Sequence, residues 1–204
     1  LMNYVKHWNN LYSSKKLEEV SWYQKKPKIS LDFICDANLN KDDAIIDVGG
    51  GDSFLIDYLI KDGYTNITVL DISKIAIDRA KSRLGDNAQK VDWIVCDIKD
   101  FNPQKKYVLW HDRAVFHFMN NSYDIKKYYN SLLRGVIRSS TLIVGAFSEY
   151  GPNRCCNLDV CRYSIKEMSS IFSKDFNLIS AKNILHKTPF GSSQDFNFLS
   201  FTKK

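Results

Sequence analysis

The stretch Ala44-Ile45-Ile46-Asp47-Val48-Gly49-Gly50-Gly51-Asp52-Ser53, followed by Val69-Leu70-Asp71, decides how this chain is read. An apolar run ends in an acid, glycines follow, a helix begins, and a second apolar run ends in another acid. The pattern predicts a βαβ unit whose glycine turn brings backbone close to a nucleoside-like ligand, with Asp71 placed to accept from both ribose hydroxyls. A dinucleotide fingerprint carries a third glycine where Phe54 stands, and it seats a pyrophosphate on the helix N-terminus. Here acids crowd the turn instead: Asp47, Asp52, Asp71 and, later, Asp97 gather near one strand-end crevice. That set suits a positively charged ligand better than a pyrophosphate.

Working outward, the alternation of elements continues. Ala44–Val48 reads as the first strand, and Phe54, Leu55, Tyr58 and Leu59 mark one face of the helix after it. Gly63 ends that helix, and Ile67–Leu70 is the second strand. Ser73 is placed to cap a helix carrying Ala76, Ala80 and Leu84 in line. Val91–Val95 and Lys106–Trp110 follow as strands three and four. Ile125, Tyr129, Leu132, Leu133 and Val136 stripe the next helix, and Thr141–Phe147 is strand five. Ser164-x-x-Glu167 is a capping box opening a helix that runs to Phe172. The last two strand candidates, Phe176–Leu185 and Asp195–Thr202, are joined by a link too short for a crossover helix. They must pair as a hairpin, which leaves one antiparallel strand in an otherwise parallel sheet. Before all this, the first forty residues show no strand pattern. Pro27 suits the first turn of a helix, and Leu31, Ile34, Cys35 and Leu39 recur at helical spacing, so residues 1–40 are expected to form a helical cap.

At these residues the chain resembles the class I S-adenosylmethionine-dependent methyltransferases. The family's first motif, acid-x-Gly-x-Gly, matches Asp47-Val48-Gly49-Gly50-Gly51, its second acid matches Asp71, and its third-strand acid matches Asp97 in Val95-Cys96-Asp97-Ile98. The strings Val20-Ser21-Trp22-Tyr23-Gln24 and Trp110-His111-Asp112-Arg113-Ala114-Val115-Phe116-His117-Phe118 look like a small bacterial subgroup. That subgroup is distantly similar to the elongation-factor lysine methyltransferases, whose fourth strand ends in Asp-Lys-Gly where this chain has Asp112-Arg113-Ala114. The resemblance implies an α/β, Rossmann-like seven-stranded sheet, mostly parallel with an antiparallel C-terminal hairpin strand and helices on both faces. It also implies S-adenosyl-L-methionine as cofactor, whose sulfonium and ammonium charges answer the acidic crevice.

The cofactor-binding residues then follow. Gly49 and Gly51 offer backbone to the methionine end, with Ser53 closing the turn, and Asp47 supports the ammonium. Asp71 takes the ribose and Ile72 packs on the adenine, whose amino group meets Asp97 with Ile98 beside it. Trp8 and Trp22, with Tyr23, lie in the cap that in similar enzymes folds over the cofactor, although core packing explains a tryptophan equally well. The segment leaving strand four faces the methyl acceptor. Methyl transfer is an in-line displacement at an already activated carbon, so the protein contributes mainly alignment and dry walls. A base is needed only where the acceptor is protonated, as a lysine ammonium is. His111 and Asp112 are the catalytic candidates, with His111 also touching the cofactor. Asp112 paired to Arg113 as a structural ion pair is an equal reading, and His117 reads as a packing histidine. The Asn/Asp-Pro-Pro-aromatic string that accompanies base amino-methylation is absent here, as is a Pro-Cys nucleophile, so base methylation is not expected.

Bulk properties bound the rest. At 204 residues the chain fits one domain, 1–204, made of the cap and a core over 41–204. Hydrophobic content of 44% and aromatic content of 13% are those of a globular protein. A net charge of +6 comes from lysines scattered singly or in pairs, a solvated surface and not a nucleic-acid footprint. No apolar run approaches a membrane span, Leu1-Met2-Asn3-Tyr4 lacks a signal-peptide core, and five cysteines read as reduced thiols, so a cytoplasmic protein is expected. Cys155, Cys156 and Cys161 form no Cys-x-x-Cys pair, and no metal is expected; Arg154 or Cys155 could instead line an acceptor pocket. The expected activity is methyl transfer to a nucleophilic N, S or O of a small-molecule acceptor, by a monomer or homodimer. A protein lysine is the alternative acceptor, and an NAD-dependent oxidoreductase the alternative from another class.

Overall fold

The computed structural model describes residues 3–204; Leu1 and Met2, the start of the expected cap, lie outside the described residues. Strands β1 (Ile45–Val48) and β2 (Ile67–Asp71) are buried at every position, as strands covered on both faces must be. With β3 (Val91–Val95), β4 (Tyr107–Arg113), β5 (Val136–Phe147), β8 (Phe176–Lys187) and β9 (Ser193–Lys203) they form a seven-stranded sheet in the order β3-β2-β1-β4-β5-β9-β8. A separate short hairpin, β6 (Arg154–Cys155) with β7 (Leu158–Asp159), follows β5; it is too brief to leave a periodic signal in the sequence. The pairs β1/β2, β1/β4, β2/β3 and β4/β5 are parallel, whereas β9 runs antiparallel to both β5 and β8. The class of fold is as expected from the sequence, terminal hairpin included. Strand order reverses at β1, which has β2 on one side and β4 on the other, and ligands of such sheets sit in the crevice beyond the carboxyl ends at that point.

The two-residue period of the strands sorts side chains between two cores. Ile45, Val69, Leu109, Ile143 and Phe198 point to one face, where α2 (Lys28–Asp36) supplies Phe33 and Ile34 and α3 (Leu55–Lys61) supplies Leu59. Ile46, Val48, Trp110, Leu142 and Val144 point to the other, against Tyr128 and Leu132 of α5 (Ser122–Gly135) and Phe172 of α6 (Ile165–Phe172). Helix starts follow their side chains. Ser73 accepts from Ala76 N at the head of α4 (Lys74–Leu84), and Ser164 and Glu167 close the expected capping box on α6.

Some boundaries differ from the sequence reading. β4 runs three residues past Trp110, because His111 and Asp112 are buried in polar networks instead of leaving the sheet. β5 starts at Val136, and the polar run Arg138-Ser139-Ser140 that hid this start is an irregularity in its pairing with β4. Ser140 Oγ stitches the irregularity by accepting from Ile137 N at 2.9 Å and donating to Tyr107 O at 2.9 Å. In the cap, α1 (Tyr4–Ser14) precedes α2, and Pro27 is the N-cap of α2. The buried face of α2 is Ser30, Phe33 and Ile34, whereas Cys35 is exposed. No helix among the described residues is long and apolar enough to cross a membrane.

Candidate active site

One cleft lies over the carboxyl ends of β1, β2 and β4, and period two explains what enters it. Asp47, Asp71, His111 and Arg113 share the parity of Ile45, Val69 and Leu109, so all four point to the same side of the sheet. The cleft is lined by Asp47, Gly49, Ser53, Asp71, Ile72, Asp97, Ile98, His111, Trp8 and Trp22, so ten of the expected site residues meet there.

The turn after β1 is built for close approach. Gly49 has φ +68° and donates to Leu70 O at 2.7 Å. Gly51 has φ +44°, and a Cβ there would stand 2.9 Å from both Asp71 Oδ2 and Tyr12 Oη. Both positions demand glycine, by backbone conformation and by space. Asp71 is 4% exposed, and its Oδ1 accepts from Ser73 N at 2.7 Å. Burial, reinforced by the nearby Asp47 charge, lifts its carboxyl to about 7 against the bonds from Ser73 and Gly51 N–H.

Asp47 Oδ1 accepts from His111 Nδ1 at 2.7 Å, and His111 Nε2 takes the Ser30 hydroxyl at 2.9 Å. A carboxylate only accepts, so Nδ1 carries the proton and the ring is fixed in one orientation. Asp47 Oδ2 is buried and has no partner. A native carboxylate oxygen in that state calls for a donor from a ligand. Beyond β3, Asp97 Oδ1 accepts from Lys99 N at 2.9 Å and turns the chain so that Ile98 is buried beside the cleft.

The N-terminal cap closes the cleft from above. Trp8 meets Trp22 edge-on at 6.1 Å and Phe118 at 5.4 Å, and Tyr12 meets Trp22 at 6.1 Å. The cap is tied to α4: Asn9 Oδ1 accepts from Ser73 Oγ at 2.8 Å, and Arg79 donates to the carbonyls of Tyr12 and Lys15, each at 2.7 Å. Tyr12 was not singled out from sequence, although it lies one helical turn after Trp8 and therefore on the same face.

Two readings are corrected. Asp112 has the parity of Trp110 and points away from the cleft. Its Oδ1 accepts from Val115 N at 2.9 Å and Phe116 N at 3.3 Å, and its Oδ2 accepts from Tyr128 Oη at 2.7 Å. Fully buried, it is not aimed at an acceptor, and it fixes the turn after β4 in which Ala114 takes φ +70°. Burial pushes its carboxyl above the ordinary range despite these bonds. It is not ion-paired to Arg113 either, because consecutive strand residues face opposite ways. Asp52, also expected in the crevice, is buried outside the cleft lining, paired to Arg79 at 2.9 Å and to Arg83.

The far end of the cleft holds Arg113, which the sequence reading considers only as a partner of Asp112, and Cys155, which it offers with Arg154 as a pocket residue; Arg154 is not in the lining. Arg113 Nη1 donates to Trp22 O at 3.1 Å, its guanidinium lies 5.5 Å from the Phe196 ring, and its Nη2 is buried without a partner. Burial draws it down to about 10. Cys155 lines this end, held below the ordinary thiol range by a bond from Cys156 and by His117 and Arg113 nearby. His117 is buried and packs on Phe118 and Phe147, each at 4.5 Å between ring centres.

Glycine turn, strand-end acids and aromatic cap thus meet in one cleft. A family model described as a methyltransferase domain matches residues 45–136. The chain is 30% identical over 145 residues to malonyl-[acyl-carrier protein] O-methyltransferase 1 of Ilyobacter polytropus, covering 67% of this chain and 54% of that protein. It is 25% identical over 150 residues to EEF1A lysine methyltransferase 2 of Danio rerio, covering 70% of this chain and 58% of that protein. The chain thus spans little more than half the length of these curated relatives. Among solved structures, 1,6-didemethyltoxoflavin-N1-methyltransferase of Burkholderia thailandensis, with bound 1,6-didemethyltoxoflavin and S-adenosylhomocysteine, superposes with a TM-score of 0.69 at 13% identity, over 98% of this chain and 84% of that one. That likeness is one of fold. Residues 45–136 are thus a methyltransferase domain, and the chain's similarity to methyltransferases extends beyond that match.

The residues present fit S-adenosylmethionine as cofactor. The orphaned Asp47 Oδ2 can receive an ammonium, and the Asp71 carboxylate, against which Gly51 packs too closely for a Cβ, lines the same cleft.

Proposed function

We propose that this chain binds S-adenosylmethionine in the cleft and moves its methyl group to a nucleophilic atom of a small-molecule acceptor. The observation that carries the reading is the pairing of Asp71, at the end of β2, with the unsatisfied Asp47 oxygen at the end of β1, in one cleft roofed by aromatic rings. In this reading Asp71 accepts from the ribose hydroxyls and Asp47 Oδ2 from the methionine ammonium. Gly49 and Gly51 admit the backbone to the ligand, and Ser53 closes the turn. Asp97 meets the adenine amino group, with Ile72 and Ile98 on the ring faces. When bound, the cofactor supplies a methyl carbon made electrophilic by its sulfonium. Trp8 and Trp22 exclude water and face the positive charge.

His111 is a positioning residue here: both ring nitrogens are engaged, so it holds Asp47 in place and has no free nitrogen for an acceptor. With Asp112 also occupied, neither of the two residues expected to act as a base is free to take a proton from the acceptor. That favours an acceptor already nucleophilic at working pH over a lysine ammonium, which must first lose a proton. The O-methyltransferase named among the relatives is in keeping with a small acyl acceptor, and the lysine methyltransferase keeps a protein lysine as the second reading. We read residues 1–204 as one catalytic unit, cap over core, working in the cytoplasm, as a monomer or homodimer, without nucleic acid. The test is incubation with methyl-labelled cofactor and a cell lysate. Label in small metabolites supports the reading, and label confined to protein lysines overturns its acceptor.

A further inference from the structure

Arg113 lines the far end of the cleft, where the Asp47 carboxylate and the Cys155 thiol feel its charge but leave part of its fork unbonded. No carboxylate lies within salt-bridge distance of its guanidinium among the described residues. Asp47, whose charge acts on the guanidinium, already accepts from His111 through Oδ1. Of the fork's donors, Nη1 is spent on the Trp22 carbonyl while Nη2 is buried with nothing to bond. A desolvated cation left in this state is costly unless a ligand completes it. The planar fork matches a carboxylate, to which it forms charge-assisted bonds.

The position of the fork names the ligand. Strands of a sheet stand about 4.8 Å apart, and the acids assigned to the cofactor end β1, β2 and the segment after β3. Arg113 ends β4 and leans the other way, over Phe196 of β9. We propose that Arg113 is the anion-binding residue of the acceptor pocket, and that the acceptor is a carboxylic acid methylated on oxygen. This deepens the proposed methyltransferase reading and rests on it.

The chemistry balances without a base. One oxygen of the acceptor carboxylate is held by Nη2 and the other attacks the methyl carbon. The C–O bond forms as the C–S bond breaks, the electron pair goes to sulfur, and the products are a methyl ester and a neutral thioether. No proton is released, in keeping with a cleft whose His111 and Asp112 are both engaged. The apolar walls, Phe118, Phe147 and Phe196, favour an aryl or medium-chain acid.

The test titrates the protein, saturated with S-adenosylhomocysteine, with benzoate, phenylacetate, hexanoate and octanoate, and with their primary amides. At least one acid is expected to bind tenfold or more tighter than its amide, and Arg113→Gln to lower that affinity by about ten- to a hundredfold. S-adenosylhomocysteine affinity should stay within about threefold of wild type in the variant. Acids that bind no better than their amides overturn the proposal. So does an Arg113→Gln protein that loses S-adenosylhomocysteine but keeps 5′-methylthioadenosine, because the fork then holds the cofactor's own carboxylate. If the glutamine variant does not fold, Arg113→Lys and the wild-type comparison of acid with amide decide by themselves. Wild-type protein that ignores S-adenosylhomocysteine overturns the methyltransferase reading and this inference with it. Binding of that compound without preference for acids overturns this inference alone.

Discussion

Asp71→Asn should move stability and ligand binding in opposite directions, and the structure gives both magnitudes. Asp71 is buried, and its carboxyl is raised from 3.8 to about 7 with burial as the main cause. A carboxyl whose folded value lies above its unfolded one stabilises the fold fully below pH 3.8, and that contribution is lost as pH rises through 7. Above pH 7 the ligand-free protein therefore carries a penalty of about 2–4 kcal/mol at this residue, the upper figure being the whole shift. Asparagine keeps an acceptor for Ser73 N and sheds the charge, so the ligand-free variant should melt higher than wild type at pH 8. A gain of about 2 kcal/mol corresponds to roughly 4–8 °C for a chain of this size. Binding goes the other way. The carboxylate is assigned two hydrogen bonds from ribose hydroxyls, each worth about 1.5–3 kcal/mol when the acceptor is charged, so affinity for S-adenosylhomocysteine should fall by about a hundredfold or more. Calorimetric titration and thermal melts at pH 8 on one preparation read both. A variant that binds within threefold of wild type refutes the ribose assignment, and one that melts lower refutes the electrostatic account.

Other perturbations follow from the same geometry. Because the ribose bonds require ionised Asp71, affinity for S-adenosylhomocysteine should rise about tenfold from pH 6 to pH 8 and level off above, as one group titrating near 7 dictates; titration across that range checks it. Asp112→Ala strands two backbone N–H groups and the Tyr128 hydroxyl, and should cost about 3 kcal/mol, roughly 6–12 °C in Tm. Activity lost with Tm unchanged would instead return Asp112 to catalysis. Gly51→Ala places a methyl group 2.9 Å from Asp71 Oδ2 at φ +44°. It should abolish detectable binding of S-adenosylhomocysteine and lower stability by about 1–3 kcal/mol, seen in the same titrations and in denaturant unfolding.

The fold was legible because its signals are local and redundant. The apolar run before Asp47, the Ser73 cap, the Ser164–Glu167 box and the short final link each point to one element, and together they leave one topology. The crevice was legible in part, since glycine and acid at strand ends lie on neighbouring strands whatever the side-chain packing. Asp112 is not legible as a buried turn anchor from a strand four that stops at Trp110, because β4 runs on to Arg113. Carrying the two-residue alternation three positions further puts His111 and Arg113 on one face and Asp112 on the other. Asp52 could not be assigned locally: its partners Arg79 and Arg83 lie one helix away, on α4. The unbonded Nη2 of Arg113 is likewise invisible in sequence, because it depends on which acceptors fail to reach it.

The central claim is that the crevice beyond β1 and β2 is shaped for an adenosyl sulfonium. Its most direct test is calorimetric titration of the unmodified chain with S-adenosylmethionine and S-adenosylhomocysteine at pH 8. The account predicts saturable one-to-one binding at roughly micromolar Kd for both, competitive with each other and unaffected by NAD. No measurable heat with either compound at millimolar concentration, from protein that melts cooperatively, would contradict it.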